Sequence, residues 1–362
     1  MKQWKHILPT VLVLLLVIHS APTAVAAEKD SAAAAADRCA AYLLETIAAP
    51  QVGSVGGEWT VIALARSGAE VPQDYWEQYF SSVQAYAAAC GGVLHQRKYT
   101  EYSRVVLALT AIGADPADVG GYHLLAPLGD FEKTTWQGVN GAIWALIALD
   151  SGAYEIPAAP EGQTQATRQR YVDAILGRQL TDGGWNMTGT GDADPDLTAM
   201  ALQALAGYRA QPAVRDAVDR AVERLSGLQN DSGGYATQGV VNAESTAQVI
   251  QALCALGNSL EDSRFVKNGN TLLDDLLRYQ QSDGSFRHTA DGSGSSLMAT
   301  EQALCALDAV LRAESGAAGL YQMTDTALSV GGAAAAPEMP WQRAACFGCA
   351  FAWALVLTAA TR

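Results

Sequence analysis

The sequence predicts an all-α protein that closes into an (α/α)6 toroid, a double barrel of about twelve helices. Three observations lead to this fold class: an alanine-rich apolar helix recurs six times, amphipathic segments alternate with the copies, and a glycine-containing turn precedes each of the last three. The 362 residues also exceed what one compact core usually holds, unless the architecture repeats around a ring.

The six apolar helices begin with a small or polar residue and follow one another at intervals of 37 to 58 residues. Their starts lie at Thr60, Ser103, Asn140, Thr198, Thr246 and Thr300. Between them lie segments whose apolar residues return every three or four positions, namely 75–89, 168–179, 213–228 and 264–280. A helix that is apolar on all sides must be buried, whereas an amphipathic one faces water on one side. The alternation therefore predicts an inner ring of helices inside an outer ring.

The turns before the last three inner helices share the order glutamine, acidic turn, glycine and aromatic residue. They are Asp182-Gly-Gly-Trp185, Asp231-Ser-Gly-Gly-Tyr235 and Asp283-Gly-Ser-Phe286, preceded by Gln179, Gln229 and Gln281. Glycine allows the tight reversal after the outer helix, and Asp accepts backbone N–H bonds within the turn. We expect the aromatic ring to pack each turn against the neighbouring hairpin.

These turns resemble the prenyltransferase and squalene-oxidase repeats of the terpenoid cyclase superfamily, over residues 37–323. The sequences Asp194-Pro-Asp-Leu-Thr-Ala-Met-Ala and Asn242-Ala-Glu-Ser-Thr-Ala-Gln resemble motifs of its exported bacterial branch. That branch is in turn similar to the toroid of the vitamin B12 carriers transcobalamin and intrinsic factor. The carriers have an additional β-domain that this chain lacks.

The two ends of the chain predict export. Lys2 and Lys5 precede an apolar run and a small-residue stretch ending at Ala27, which is the layout of a signal peptide over residues 1–27. The toroid is predicted over residues 28–323 and an Ala/Gly/Pro linker over 324–340. The tail at 341–362 contains an uncharged apolar stretch, 344–360, which is a candidate membrane anchor or a buried terminal helix. The predicted location is extracytoplasmic, secreted or at the cell surface.

The net charge of −14 excludes nucleic acid as a partner. No metal or cofactor is predicted. An Asp-x-Cys zinc pair of the protein prenyltransferase type is absent, and residues 298–302 carry alanine where a thioester domain has its cysteine. Cys39 and Cys90 form either a disulfide or two buried thiols, while Cys254 and Cys305 occupy matching core positions in successive repeats.

An acidic cluster, Asp192, Asp194 and Asp196, precedes the fourth inner helix. In class II terpene cyclases, an Asp-x-Asp-Asp-Thr-Ala motif protonates an alkene, and this chain resembles that motif with Leu197 at the last acidic position. The resemblance implies that Asp194 and Asp196 are catalytic. Helix capping explains the same residues, with Asp194 as the N-cap and Asp196 complementing the helix dipole.

The starts of the inner helices are expected to converge at one end of the barrel as a polar ligand-binding rim. Its predicted members are Trp136, Asn140, Trp185, Asp194, Asp196, Thr198, Glu244, Thr246, Thr300 and Glu301. His288 could reach the same rim. The sequence thus predicts a non-catalytic toroid that binds a small molecule or a cell-envelope partner, with a corrinoid-like ligand as candidate. The alternatives are a class II terpene cyclase-like enzyme acting on a polyene and a structural envelope module.

Overall fold

The computed structural model describes residues 21–331, without the side chains of 21–30. Over this part of the chain, twelve α-helices alternate between an outer and an inner ring, in six hairpins. The outer helices are α1 (Ala21–Thr46), α3 (Gln73–Ala89), α5 (Phe131–Thr134), α7 (Arg168–Leu176), α9 (Pro212–Leu228) and α11 (Leu272–Leu277). The inner helices are α2 (Trp59–Arg66), α4 (Thr100–Ala111), α6 (Val139–Ser151), α8 (Pro195–Leu205), α10 (Ala243–Leu256) and α12 (Leu297–Ser315).

The inner helices form a closed ring. Each contacts the next in chain order, and α12 packs against both α1 and α2. At this junction Glu301 of α12 accepts hydrogen bonds from the backbone N–H of Gly56 and from the Thr60 hydroxyl. The predicted toroid is therefore confirmed, and the inner helices run in the same direction because each follows an antiparallel outer helix.

Burial explains why these segments form the inner ring. In α6, Val139, Gly141 and every residue from Ala142 to Leu149 are buried, which leaves the helix no face for water. By contrast, α9 buries only the stripe Val214, Ala217, Val218, Ala221, Val222 and Leu225. The difference follows the sequence pattern, since α6 has a single charged residue, Asp150, whereas α9 has charges at regular helical spacing on one face.

The recurring turns fasten each outer helix to the next hairpin. The Gln179 side-chain amide donates to the Gly183 carbonyl within its own turn and to the Ala217 carbonyl of α9. Gln229 makes the equivalent bonds to Gly233 and Phe265. In the last turn the equivalent glutamine is Gln280, which donates to Gly284 and to Ala35 of α1. The ring is thus closed by the same bond that joins its other hairpins.

Two local predictions are wrong. Gln281 was predicted to be the glutamine of the last turn, but Gln280 makes the equivalent hydrogen bonds. Gln280 lies four residues before the turn glycine, as Gln179 and Gln229 do in the other two turns. The outer segment 264–280 is α-helical only over Leu272–Leu277, after a 3-10 turn at Ser263–Phe265. Asn268 and Gly269 both adopt positive φ in the turn between these elements, and this left-handed backbone interrupts the helix.

The glycine of each turn is required by its backbone and its surroundings. Gly183, Gly233 and Gly284 have φ between +92° and +97°. A Cβ on Gly284 would clash with the Arg38 carbonyl oxygen of α1. A side chain here would therefore be strained by its own φ and would push α1 away from the ring.

We expect Gly284→Ala to lower the free energy of unfolding by about 2 to 4 kcal/mol, the sum of backbone strain and overpacking. Urea denaturation measures the difference. Gly207→Ala is the matched control, because a Cβ on Gly207 meets no atom within 4 Å and its φ is not positive. Equal stability of the two variants would contradict the proposed role of the turn glycine.

The remaining secondary structure consists of short elements. A two-stranded hairpin, β1 (Ala236–Thr237) and β2 (Val240–Val241), precedes α10, and 3-10 turns span Ala126–Gly129, Thr135–Gln137 and Ala206–Tyr208. A further segment, Ser54–Glu58, leads into α2 through non-helical backbone at 55–57.

No helix within residues 21–331 combines the length and the apolar character needed to cross a membrane. The candidate anchor at 344–360 lies outside the described residues, as do residues 1–20 of the predicted signal peptide. Cys39, Cys90, Cys254 and Cys305 are free thiols, so the structure has no disulfide between Cys39 and Cys90. Cys39 instead donates to the Thr300 carbonyl.

Candidate active site

The loop before α8 is held at both ends, which fixes the acidic motif at the N-terminal end of the inner ring. The Asp194 N–H donates to the Trp185 carbonyl at 2.8 Å, so the loop closes on itself. One Asp182 oxygen accepts from the Ala193 N–H and pairs with Arg224, each at 2.9 Å. These contacts hold Asp194 and Asp196 in place at the start of α8.

Asp194 is the N-cap of α8. Its Oδ1 accepts the Leu197 N–H at 2.8 Å, and Pro195 occupies the first helical position. The sequence analysis predicted this capping role for Asp194. One of its two carboxylate oxygens is therefore occupied by a backbone N–H of α8.

Asp196 is placed differently, because it lies two residues further along the chain, within the first turn of α8, and is half-buried. Its Oδ1 has no hydrogen-bond partner among the described residues. Burial, with smaller contributions from the charges of Asp194 and Glu244, raises the pKa of Asp196 from 3.8 to about 6, while hydrogen bonds from Ser245 and Thr237 hold it lower. Asp196 is therefore a carboxyl group that retains its proton to near neutral pH.

Both aspartates line one cavity of about 470 Å³, the acid cavity. Asn140 of α6, Met200 of α8 and the hairpin residue Gln238 lie in the same wall, and Leu197 contributes apolar surface. Leu197 stands where the class II motif has its last acid. Without that carboxylate, burial is the main cause of the raised pKa of Asp196.

The predicted threonines do not belong to this cavity. Thr198, Thr246 and Thr300 are fully buried. Their hydroxyl oxygens accept the backbone N–H groups of the three turn aromatics Trp185, Tyr235 and Phe286, at 2.9, 3.3 and 2.9 Å. They were predicted to bind ligand, and this is wrong because each hydroxyl satisfies a buried N–H of its own turn.

The other predicted members of the rim are dispersed. Trp185 is fully buried, with its indole N–H donating to the Ile175 carbonyl, and Glu301 is buried at the junction of α12 and α2. Trp136 is 56% exposed, with the Arg97 guanidinium stacked over its ring. Glu244 Oε2 and the His288 ring Nδ1 are hydrogen-bonded to each other at 2.8 Å. Of the ten residues predicted to share one rim, Asn140, Asp194 and Asp196 lie together, around the acid cavity.

An aromatic cluster inside the barrel was missed by the sequence analysis. Trp144 of α6 contacts Trp59 of α2 edge to face, with ring centroids 5.3 Å apart, although α4 lies between these helices in the ring. On its other side Trp144 meets Tyr321, which follows α12, at 6.0 Å. The three rings meet across the barrel interior, and aromatic faces attract cations. No local sequence signal joins positions so distant in the chain.

Within the described residues, no group of His, Cys, Asp and Glu side chains is arranged to hold a metal ion.

Comparison with known proteins shows which fold this is. No protein-family model matches the sequence. A 114-residue segment is 32% identical to a drimenyl diphosphate synthase from Streptomyces showdoensis, and it spans 30% of this chain and only 20% of that relative. The type II terpene cyclase MstE from Scytonema, solved with the product merosterolic acid A, superposes with a TM-score of 0.53 and 16% identity, over 79% of this chain and 98% of MstE.

A second structure of MstE, bound to the substrate geranylgeranyl dihydroxybenzoate, gives a TM-score of 0.52 at 15% identity, over 80% of this chain and 98% of MstE. The fold is therefore the α/α toroid that type II terpene cyclases have, as predicted. The prediction of a non-catalytic carrier for a corrinoid-like ligand is wrong. The sequence similarity is to a drimenyl diphosphate synthase and the fold similarity is to a type II terpene cyclase.

Proposed function

From the terpenoid cyclase fold of this chain, we propose that it is a class II terpene cyclase-like enzyme in which Asp196 protonates a polyene. The observation that carries the proposal is the Asp196 carboxyl itself. It is half-buried at the wall of a cavity, its buried Oδ1 has no hydrogen-bond partner among the described residues, and its pKa is raised to about 6. A carboxylic acid kept protonated at the wall of a partly apolar cavity is what alkene protonation requires.

The proposed reaction begins when Asp196 transfers its proton to one carbon of a terminal alkene, leaving a carbocation on the other. Attack by neighbouring double bonds forms rings and moves the positive charge along the chain. Loss of a proton from the final cation gives a cyclic isomer of the substrate, and the Asp196 carboxylate recovers a proton from water.

Incubation of the purified chain with polyenes tests this function. Geranylgeranyl dihydroxybenzoate, geranylgeranyl diphosphate and squalene offer an isoprenoid chain with an aromatic head group, with a diphosphate head group and without a head group. At least one is expected to give a cyclic product of unchanged mass, resolved by gas or liquid chromatography with mass spectrometry. Recovery of all three unchanged, with protein shown to be folded by circular dichroism, would overturn the proposal.

The rate should depend on pH through Asp196. Because only the protonated carboxyl can donate, we expect a plateau below pH 6 and a fall of about tenfold per pH unit above it. Ser245→Ala removes a hydrogen bond that lowers the pKa of Asp196, so the midpoint should move to higher pH. Initial rates between pH 5 and 9 measure both effects. A profile that is flat over this range would contradict the assignment of Asp196.

A further inference from the structure

A second and larger cavity, of about 830 Å³, lies at the opposite end of the barrel. It is lined by the C-terminal parts of the inner helices α6, α8, α10 and α12 and by Leu320–Gln322. Gln203 of α8 and Gln251 of α10 both contribute to its wall, and we call it the amide chamber after them. Its volume is that of a site for a small organic molecule.

The amide chamber is separate from the acid cavity. Along α6, Asn140 lines the acid cavity and Ile147 lines the amide chamber. Trp144 lies between them on the same helix face, because residues three and four positions apart are neighbours. Along α8, Met200 lies in the same way between Asp196 and Gln203. The barrel interior therefore has two compartments, with Trp144 and Met200 at the level between them.

The glutamine side chains leave one acceptor and one donor without partners. Gln203 donates to the Gln248 side-chain carbonyl at 3.1 Å, and Gln248 donates to Gln302 at 2.7 Å. The Gln203 Oε1 has no partner in the described part of the chain. Gln251 uses its Oε1 to accept from the Tyr321 hydroxyl at 3.2 Å, and its Nε2 has no partner there either. Both side chains are more than nine-tenths buried.

Two of the four charged residues in the chamber wall, Asp150 and Arg168, pair with each other. Asp150 accepts from Arg168 at 2.7 Å and from the Tyr208 hydroxyl at 2.7 Å. Glu155 and Arg209, of opposite sign, are exposed. The rest of the wall is largely apolar and includes Ala204, Leu256, Ala309, Ala313 and Leu320. Because these two charges are exposed to water, their attraction for a charged ligand is weak, and such a ligand would lose hydration against the apolar wall.

We propose that the amide chamber is a second ligand site, specific for an uncharged molecule that carries an adjacent hydrogen-bond donor and acceptor on an apolar body. A primary carboxamide has this chemistry. Its N–H donates to Gln203 Oε1, and its carbonyl accepts from Gln251 Nε2. The pairing satisfies the two amide atoms of the chamber wall that have no partner among the described residues, and buried polar atoms without partners are rare in folded proteins.

The probe is 2-naphthamide, with two analogues that each change one property. Methyl 2-naphthoate keeps the acceptor and loses the donor, and 2-naphthoate carries a charge. Titration calorimetry on the full chain should show binding of the amide, and at least tenfold weaker binding of the ester and of the anion. Equal binding of the three compounds, or no binding of the amide at millimolar concentration, would overturn the proposal.

Two variants test whether 2-naphthamide binds in the amide chamber. Gln251→Leu should weaken 2-naphthamide binding at least tenfold, whereas Asp196→Asn in the acid cavity should leave it unchanged. Because the three ligands are compared on the unaltered protein as well, the test does not depend on whether Gln251→Leu folds. Loss of binding in Asp196→Asn would place the probe in the acid cavity and contradict a separate site. Polyene cyclisation is not measured in this experiment, so the two proposals fail independently.

Discussion

Asp196→Asn is expected to reduce the yield of cyclic product by about 100-fold to 10,000-fold, the usual contribution of a positioned general acid. An amide of the same size cannot donate a proton strong enough to protonate an alkene. Asparagine keeps one side-chain oxygen, which can still accept a hydrogen bond from Ser245 or Thr237. Product formation from the active polyene, measured at pH 6 by mass spectrometry, gives the ratio.

The same substitution should stabilise the protein at high pH. A loss of activity in Asp196→Asn can therefore be told apart from a loss of folded protein. The folded-state pKa of about 6 lies above the ordinary 3.8. The protonated carboxyl therefore stabilises the fold below pH 3.8, and this contribution is lost as the pH rises through 6. Asparagine cannot ionise, so Asp196→Asn should be more stable than the parent by on the order of 2 to 3 kcal/mol at pH 8 and about equal to it at pH 4.

Asp192→Asn is the matched control for Asp196→Asn. Asp192 lines the same acid cavity, but it is exposed. Its replacement should change product formation by less than threefold. If Asp196→Asn kept its activity while Asp192→Asn lost it, the proton donor would be the loop residue and the account would be wrong.

Arg66→Met is expected to lower the free energy of unfolding by about 3 to 5 kcal/mol, as removal of one partner from a buried charge network does. The guanidinium is 96% buried and donates to the carbonyls of Gly319, Leu320 and Gln322, at 3.0 to 3.1 Å. It also pairs with Asp325 at 2.7 Å. One side chain thus holds the segment after α12 against the end of the barrel.

Urea denaturation measures this loss, with Arg215→Met on the exposed face of α9 as the control, expected within about 0.5 kcal/mol of the parent. Arg66→Lys should be intermediate, since an ammonium group keeps the charge but cannot form the planar set of bonds. The near-ultraviolet circular dichroism of Trp144 and Tyr321 should weaken in Arg66→Met. A stability equal to that of the parent would show that the segment is held by other contacts.

The ring could be predicted from the sequence because its cause is local and repeated. An apolar helix such as α6 must be buried on every side, and six copies with amphipathic partners leave few arrangements other than a closed double layer. The position of Asp194 and Asp196 could also be predicted from a local signal, the capping residue of a helix. A capping residue fixes the end of its helix, so both carboxyls were placed correctly at the start of α8.

What the sequence could not supply depends on contacts between distant residues. The hydroxyl of Thr300 looked like a rim group, but it accepts the N–H of Phe286, which only the folded turn brings near it. Trp59, Trp144 and Tyr321 meet only after the ring has closed. The burial that raises the pKa of Asp196 depends on α10 and the β-hairpin, which supply Ser245 and Thr237.

Cyclisation in heavy water tests the central claim most directly. If Asp196 protonates the polyene, the product formed in D2O must carry one deuterium on the carbon that was protonated, because the carboxyl exchanges its proton with solvent before each turnover. Mass spectrometry and deuterium NMR of the product should therefore show a gain of one mass unit at a single position. A cyclic product without deuterium would show that ring formation begins without proton transfer from an exchangeable acid, and the role assigned to Asp196 would be wrong.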